Sequence, residues 1–161
     1  AGRELSGYAA ATPDLFEDAS MILIPHDETP SDVRARLTQF FHALHFGHII
    51  LTDAETHDEI IAYTSQLVHV LANAFIKSPV ALQQKGFAAG SFRDLTRVAT
   101  VNADLWAQLF FDNRDFLAEE IDALCVRLAE YSRTLRAGDE DKLRSLLQEG
   151  NDWKKRSEKA L

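Results

Sequence analysis

The sequence predicts a mainly α chain in which a short β-α-β unit precedes a helical domain. Two apolar runs, residues 21–24 and 49–51, flank a segment of helical periodicity, and from Thr52 onward the apolar spacing stays near that of an α-helix. The composition fits a soluble globular chain with one good core or two small ones: of 161 residues, 46% are hydrophobic, 26% charged and 9% aromatic.

The first 19 residues are rich in Gly, Ala, Ser and Thr and read as loop, with one short turn after Pro13. Met21-Ile22-Leu23-Ile24 followed by Pro25 has the pattern of a buried strand. Thr29-Pro30-Ser31-Asp32 reads as a helix start, with Thr29 as hydroxyl cap and Pro30 at the first helical position. Val33, Leu37, Phe40, Phe41 and Leu44 then form one apolar face, and Gly47 lets the chain leave the helix. Ile49-Ile50-Leu51 is the second strand. The expected product is a right-handed crossover between parallel strands, and two such strands cannot cover both of their faces. The unit therefore calls for more sheet than this chain contains.

Thr52 with Glu55 reads as a capping box opening a helix whose stripe runs from Ile60 through Leu67, Leu71 and Phe75 to Ile76, before Pro79. Residues 83–91, with Gly86 and Gly90, read as loop. Two short helices follow, 92–99 and 103–111, the second capped by Asn102. The longest helix spans 113–136. Its Leu117, Ile121, Leu124, Leu128, Tyr131 and Leu135 alternate by four and three, a heptad seam for a bundle core or for a second copy of the chain. Gly138-Asp139 starts a last helix through Leu147, and Lys154-Lys155-Arg156 reads as a solvated tail.

Lys and Arg number 17 against 25 Asp and Glu, a net charge of −8, so a phosphate-rich partner would meet a repulsive field and nucleic acid is not expected. Cys125 is the single cysteine, which rules out an internal disulfide and points to a reducing, cytoplasmic setting. No apolar run approaches the roughly 20 residues needed to cross a bilayer, and the first residues lack signal-peptide order, so no membrane is expected. All six histidines, His26, His42, His45, His48, His57 and His69, lie in the first half. His42, His45 and His48 have helical metal-ligand spacing, but Gly47 interrupts the set and no carboxylate or Cys completes it, so no metal is expected.

Phe92-Arg93-Asp94-Leu95-Thr96-Arg97 places Arg93 and Arg97 on one helix face, with Asp94 spaced to pair with and orient a guanidinium. An oriented guanidinium suits capture of a carboxylate, and the glycine-bearing loop before it permits close approach; the competing reading is a solvated ion pair of small value. His69 lies within an apolar stripe, where a histidine is more often a satisfied core residue than a ligand contact. Trp106 and Trp153 suit either a core or an interface.

Several blocks together resemble one family. Ala1-Gly2-Arg3-Glu4-Leu5-Ser6-Gly7, Leu15-Phe16-Glu17-Asp18-Ala19 and Ile22-Leu23-Ile24-Pro25 are similar to the stretch that follows a His-Pro-Met in prephenate and arogenate dehydrogenases. Glu55-Thr56-His57-Asp58 and Ser65-Gln66-Leu67-Val68-His69 resemble its E-x-H-D and S-H-L-P-H segments. Gly90-Ser91-Phe92-Arg93-Asp94-Leu95-Thr96-Arg97-Val98-Ala99, then Leu105-Trp106 and Asn113-Arg114, resemble its G-G-F-R-D-x-T-R-I-A, M-W and N-R blocks. The blocks occur in order along the whole chain.

The resemblance implies the C-terminal part of such an enzyme: residues 1–52 as the end of a Rossmann-type nucleotide-binding domain, and 53–161 as a helical dimerisation domain. The family oxidatively decarboxylates prephenate or arogenate in tyrosine biosynthesis, with NAD or NADP as hydride acceptor. By resemblance Arg97 holds the substrate's ring carboxylate, while His69 and Gln66 line the pocket and Glu4 borders it. Asp94 and Trp106 support them. The implied partners are a second copy of the chain, as a homodimer, and prephenate or arogenate. Three departures accompany this. The family's polarising histidine would lie just before Ala1, so no catalytic residue is expected within the chain, and no G-x-G-x-x-G occurs, so the chain alone is expected to hold no dinucleotide and to be inactive. Gln66 and Val68 stand where the family has His and Pro, and Gln66 cannot carry a proton in catalysis. The competing reading is a stand-alone helical dimer or a non-catalytic module for an aromatic or keto-acid ligand.

Overall fold

A computed structural model describes residues 7–159. The chain divides into two compact units, Ala1–Leu117 and Ala118–Leu161.

In the first unit, turns at Thr12, Asp14 and Phe16 lead to β1 (Ser20–Leu23), then α1 (Ser31–Ala43) and β2 (His48–Leu51). β1 and β2 pair in parallel, Ser20 with His48 through Leu23 with Leu51, as the expected crossover requires. Their apolar faces are only partly covered: Ile50 and Leu51 are 48% and 56% exposed, the deficit expected of a two-stranded parallel sheet. An aromatic cluster joins α1 to the segments that lead into the two strands. Phe46, 5% exposed, stacks on Phe16 at 4.8 Å and meets the edge of Phe41 at 5.7 Å.

Both ends of α1 differ from expectation. Pro30 precedes the first helical residue and no side chain caps it; Thr29 instead offers its carbonyl to Arg34 Nε at 3.0 Å. At the other end His45, with φ 67°, takes the left-handed conformation expected of Gly47. Gly47 is needed for closeness: a Cβ there would stand 3.0 Å from the Asp18 Cα.

The long helix expected after Thr52 begins one residue later and is interrupted. Asp53, not Thr52, caps α2 (Ala54–Ile61), accepting from the Thr56 N–H and hydroxyl, both at 2.8 Å. Those two bonds, the amide first, hold the Asp53 carboxyl below the usual aspartate range. Residues Ala62–Gln66 then form a π turn before α3 (Leu67–Phe75). Thr64 Oγ1 donates to the Ile60 carbonyl at 2.7 Å, inserting a side chain into the backbone ladder there. A short 3₁₀ turn (Pro79–Gln83) leads to α4 (Gly90–Thr96), which starts within the expected loop. Next comes α5 (Ala103–Asp112), capped as expected by Asn102, whose side chain accepts from Leu105 N–H at 3.2 Å. The buried apolar residues here are small or few: Ala62, Leu67, Ala72, Ala99 and Leu117.

The second unit is built from most of α6 (Arg114–Ala137) and from α7 (Glu140–Lys159). Gly138 at φ 66° and the Asp139 N–H bond to the Thr134 carbonyl end α6 in a left-handed cap. Asp139 then caps α7 through the Lys142 N–H at 2.9 Å. Tyr131 reaches the Leu146 carbonyl, and the Lys142 ammonium meets Glu130 at 2.9 Å, a contact that raises the Lys142 pKa. α7 continues well past Leu147, so Lys154, Lys155 and Arg156 are helical rather than a tail. Pairs Gln148–Asp152 and Lys154–Glu158, four apart, support that extension. Among the described residues no helix is long and apolar enough to cross a membrane.

Candidate functional site

The site grows from the polar residues of an otherwise apolar stretch. Gln66, His69 and Asn73, at i, i+3 and i+7, lie along one side of the π turn and α3. Each donates to a backbone carbonyl of another segment. His69 Nδ1 reaches Val98 at 3.0 Å, Asn73 Nδ2 reaches Ala99 at 3.1 Å, and Gln66 Nε2 reaches Leu109 at 3.1 Å.

Val98 and Ala99 immediately follow Arg97, the residue that ends α4 with its N–H on the Arg93 carbonyl at 2.9 Å. The grip of α3 on these two carbonyls fixes the backbone that carries Arg97. A carbonyl only accepts, so the Val98 bond places a proton on Nδ1 of His69. In the neutral ring Nε2 is then the accepting nitrogen. The ring itself lies against Trp106 of α5, with centroids 3.9 Å apart, and Trp106 in turn meets Phe110 at 5.4 Å. Phe75 and Phe92, at 6.0 Å, add an aromatic contact between α3 and α4.

Gln66 is placed differently from its expected role at the substrate. It is 6% exposed, and besides its bond to Leu109 its Oε1 accepts from Asn113 Nδ2 at 3.0 Å. Asn113 gives its other proton to the Asp58 carbonyl at 2.8 Å. The amide is committed to joining the π turn to the α5–α6 corner. A solvent-open recess of about 360 Å³ at that corner is lined by Asp58, Phe111, Asp112 and Arg114 among others; His69, Arg97 and Trp106 take no part in it.

Asp94 makes no ion pair with Arg93 or Arg97 among the described residues; its Oδ2 lies back toward Gly90, 4.0 Å from where a Cβ would stand. What the structure shows near Arg97 instead is at the backbone, where His69 and Asn73 hold the two carbonyls that follow it. Glu4 lies outside the described residues. Asn73 was not anticipated, although its polarity within an apolar stripe, four residues after His69, was the available signal. No group of three side chains suited to a metal occurs among the described residues. The turn between β1 and α1 contains Pro25 and Pro30 and no glycine, so it does not fit the close backbone approach that a dinucleotide pyrophosphate requires.

Residues 53–149 match the family model described as prephenate dehydrogenase, dimerization domain. The chain is 33% identical over 149 residues to a cyclohexadienyl dehydrogenase of Zymomonas mobilis, covering 89% of this chain and 50% of that protein. It is 30% identical over 127 residues to a prephenate dehydrogenase of Bacillus subtilis, covering 76% of this chain and 34% of that one. The chain thus spans half or less of the length of these curated relatives. Its fold is shared with the crystal structure of Synechocystis arogenate dehydrogenase, with a TM-score of 0.78, 24% identity and coverage of 97% of this chain and 58% of that one. It is shared also with prephenate dehydrogenase from A. aeolicus in complex with hydroxyphenyl propionate and NAD+, with a TM-score of 0.81, 21% identity and coverage of 96% and 56%. With the π turn, α3, α4 and α5 all inside the matched region, the chain belongs to the prephenate dehydrogenase family.

Proposed function

We propose that this chain is the C-terminal part of an enzyme that oxidatively decarboxylates prephenate or arogenate. In this reading residues 1–52 end a nucleotide-binding domain and residues 53–161 form the helical dimerisation domain. NAD or NADP, held by sequence outside this chain, accepts the hydride when bound. The work of the chain's own residues is binding and orientation. Arg97 holds the ring carboxylate as a charge-assisted pair, Glu4 borders the site, and His69 presents Nε2 toward the substrate's side chain while Trp106 walls the ring. Gln66 keeps the π turn in place rather than touching substrate. Because the loss of carbon dioxide aromatises the ring, placement of the substrate is the main contribution asked of these groups.

The single observation that supports this reading most is the bond from His69 to Val98, which joins a ring nitrogen donor to the segment next to a guanidinium that suits a carboxylate. Calorimetric titration of prephenate into the wild type and Arg97→Ala tests it. A charged hydrogen bond of about 1.5–3 kcal/mol corresponds to at least a tenfold loss of affinity in the variant. Equal affinities remove Arg97 from the site. The chain alone, mixed with NAD or NADP and prephenate, is expected to form no reduced dinucleotide.

A further inference from the structure

Asn73 has no part in the site as expected from the sequence, yet it makes the second of two adjacent contacts. Val98 and Ala99 are consecutive, and their carbonyls are taken by His69 and Asn73, one helical turn apart on the same side of α3. Ala99 is 8% exposed, so its carbonyl has little recourse to water if the Asn73 amide is removed. The turn at 97–99, closed by the Ala99 N–H on the Thr96 carbonyl, would then have to rotate to find another donor. Such a rotation moves the Val98 carbonyl as well.

We propose that Asn73 is a positioning residue for His69. By anchoring the Ala99 carbonyl it holds the neighbouring Val98 carbonyl against Nδ1, which keeps the proton on that nitrogen and leaves Nε2 to face a ligand. Which ring nitrogen carries the proton is set by the bond the other side of the ring makes, and here that bond depends on a residue that touches neither ring nor ligand. The proposal rests on the reading of His69 as a ligand-facing group. Its consequence is selectivity: with Nδ1 committed, the neutral ring offers a ligand an acceptor, suited to a hydroxyl or ammonium donor.

Long-range proton–nitrogen NMR on the whole chain with labelled histidine tests this at about pH 8.5, above the ordinary imidazole range. The wild type should show His69 protonated at Nδ1 and bare at Nε2. Asn73→Ala and the isosteric Asn73→Asp, which lacks the donor, should both lose that preference, and Asn73→Gln, which keeps the donor, should restore much of it. Circular dichroism and melting establish that each variant is folded. A folded Asn73→Ala with His69 unchanged overturns the proposal, as does a wild type without the Nδ1 proton. If the variants do not fold, exchange of the Asn73 side-chain amide protons in the wild type decides. They should exchange more slowly than those of Asn102, and equal rates overturn the proposal. Titration of the same samples with arogenate, whose side-chain ammonium is a donor for Nε2, reads the functional assignment separately. Affinity should fall about tenfold in Asn73→Ala relative to wild type, the worth of roughly one hydrogen bond. A wild type with the Nδ1 tautomer but no arogenate binding removes the ligand-facing reading and leaves the positioning intact.

Discussion

The side-chain amides of Gln66 and Asn113, 47 residues apart in sequence, meet at 3.0 Å in a buried contact. Their orientations follow from their other partners. Both the Leu109 and Asp58 carbonyls can only accept, so each amide must turn its nitrogen toward a carbonyl, and Asn113 Nδ2 gives its second proton to the Oε1 that Gln66 presents to it. The contact closes the π turn against the start of α6, one helical turn before His69.

Removal of either member should therefore cost more than a surface bond. Asn113→Ala leaves Gln66 Oε1 buried without its donor, and a loss of about 2 kcal/mol in urea unfolding is expected. Gln66→Ala should cost a similar amount. Because the two residues share one contact, the double variant should lose less than the sum, by at least about 0.5 kcal/mol. Strict additivity would show that they act independently.

Gly47 and Gly150 should respond to alanine with opposite signs. At Gly47 the added Cβ meets Asp18 backbone, 3.0 Å from Cα and 3.3 Å from both C and O, and the Gly47 N–H is already tied to Ala19 at 3.0 Å. Neither segment can give freely, so Gly47→Ala should destabilise by about 1–3 kcal/mol. Gly150 lies inside α7 with open space around the new methyl. Gly150→Ala should stabilise by up to about 1 kcal/mol, the difference in helix propensity. A pair of thermal melts shifting in the same direction would contradict this account.

What the sequence made legible was whatever depends on neighbours in the chain. The strands at 20–23 and 48–51, the Asn102 cap and the long α6 all follow from local spacing and capping chemistry. The failures are tertiary. The π turn needs Asn113, supplied from α6's threshold; the anchoring of Arg97 needs carbonyls 26 and 29 residues from their donors. Asp94 is an orienting partner by spacing, but among the described residues it forms no ion pair with Arg93 or Arg97, and the contacts made by α3 are to the backbone after Arg97. The left-handed His45 was hidden because Gly47, two residues on, offered the more obvious residue for the same conformation. α7 outlasts its apolar stripe through pairs four apart on an exposed surface, a weaker signal than a hydrophobic face.

The homodimer proposed for the family domain should depend on the exposed end of the α6 seam. Leu117 is buried at 4% exposure, whereas Leu128 and Leu135 remain 52% and 62% exposed, so the chain leaves these two later seam leucines largely uncovered. Wild type should sediment near twice 18.1 kDa at micromolar concentration. Leu135→Glu, placing a charge on an apolar contact face, should shift the population toward 18.1 kDa with helicity retained. An unchanged dimer would place the interface elsewhere.

The cap of α2 should make a pH-dependent contribution with a definite sign. Asp53 accepts from the Thr56 amide and hydroxyl, and its carboxyl is held below the ordinary aspartate value as a result. A group depressed in the folded state binds its proton more readily in the unfolded chain. Its contribution is therefore fully present above the unfolded aspartate value of about 3.9 and is lost as pH falls through the lower folded value. Asp53→Asn keeps an acceptor for the Thr56 amide and removes the charge. Its melting temperature should lie below that of wild type at neutral pH, by a modest amount since the cap is exposed, and the two curves should converge as the pH drops below the unfolded value. A difference that stays constant across that range would mean that the carboxylate charge contributes nothing and that the acceptor oxygen alone starts the helix.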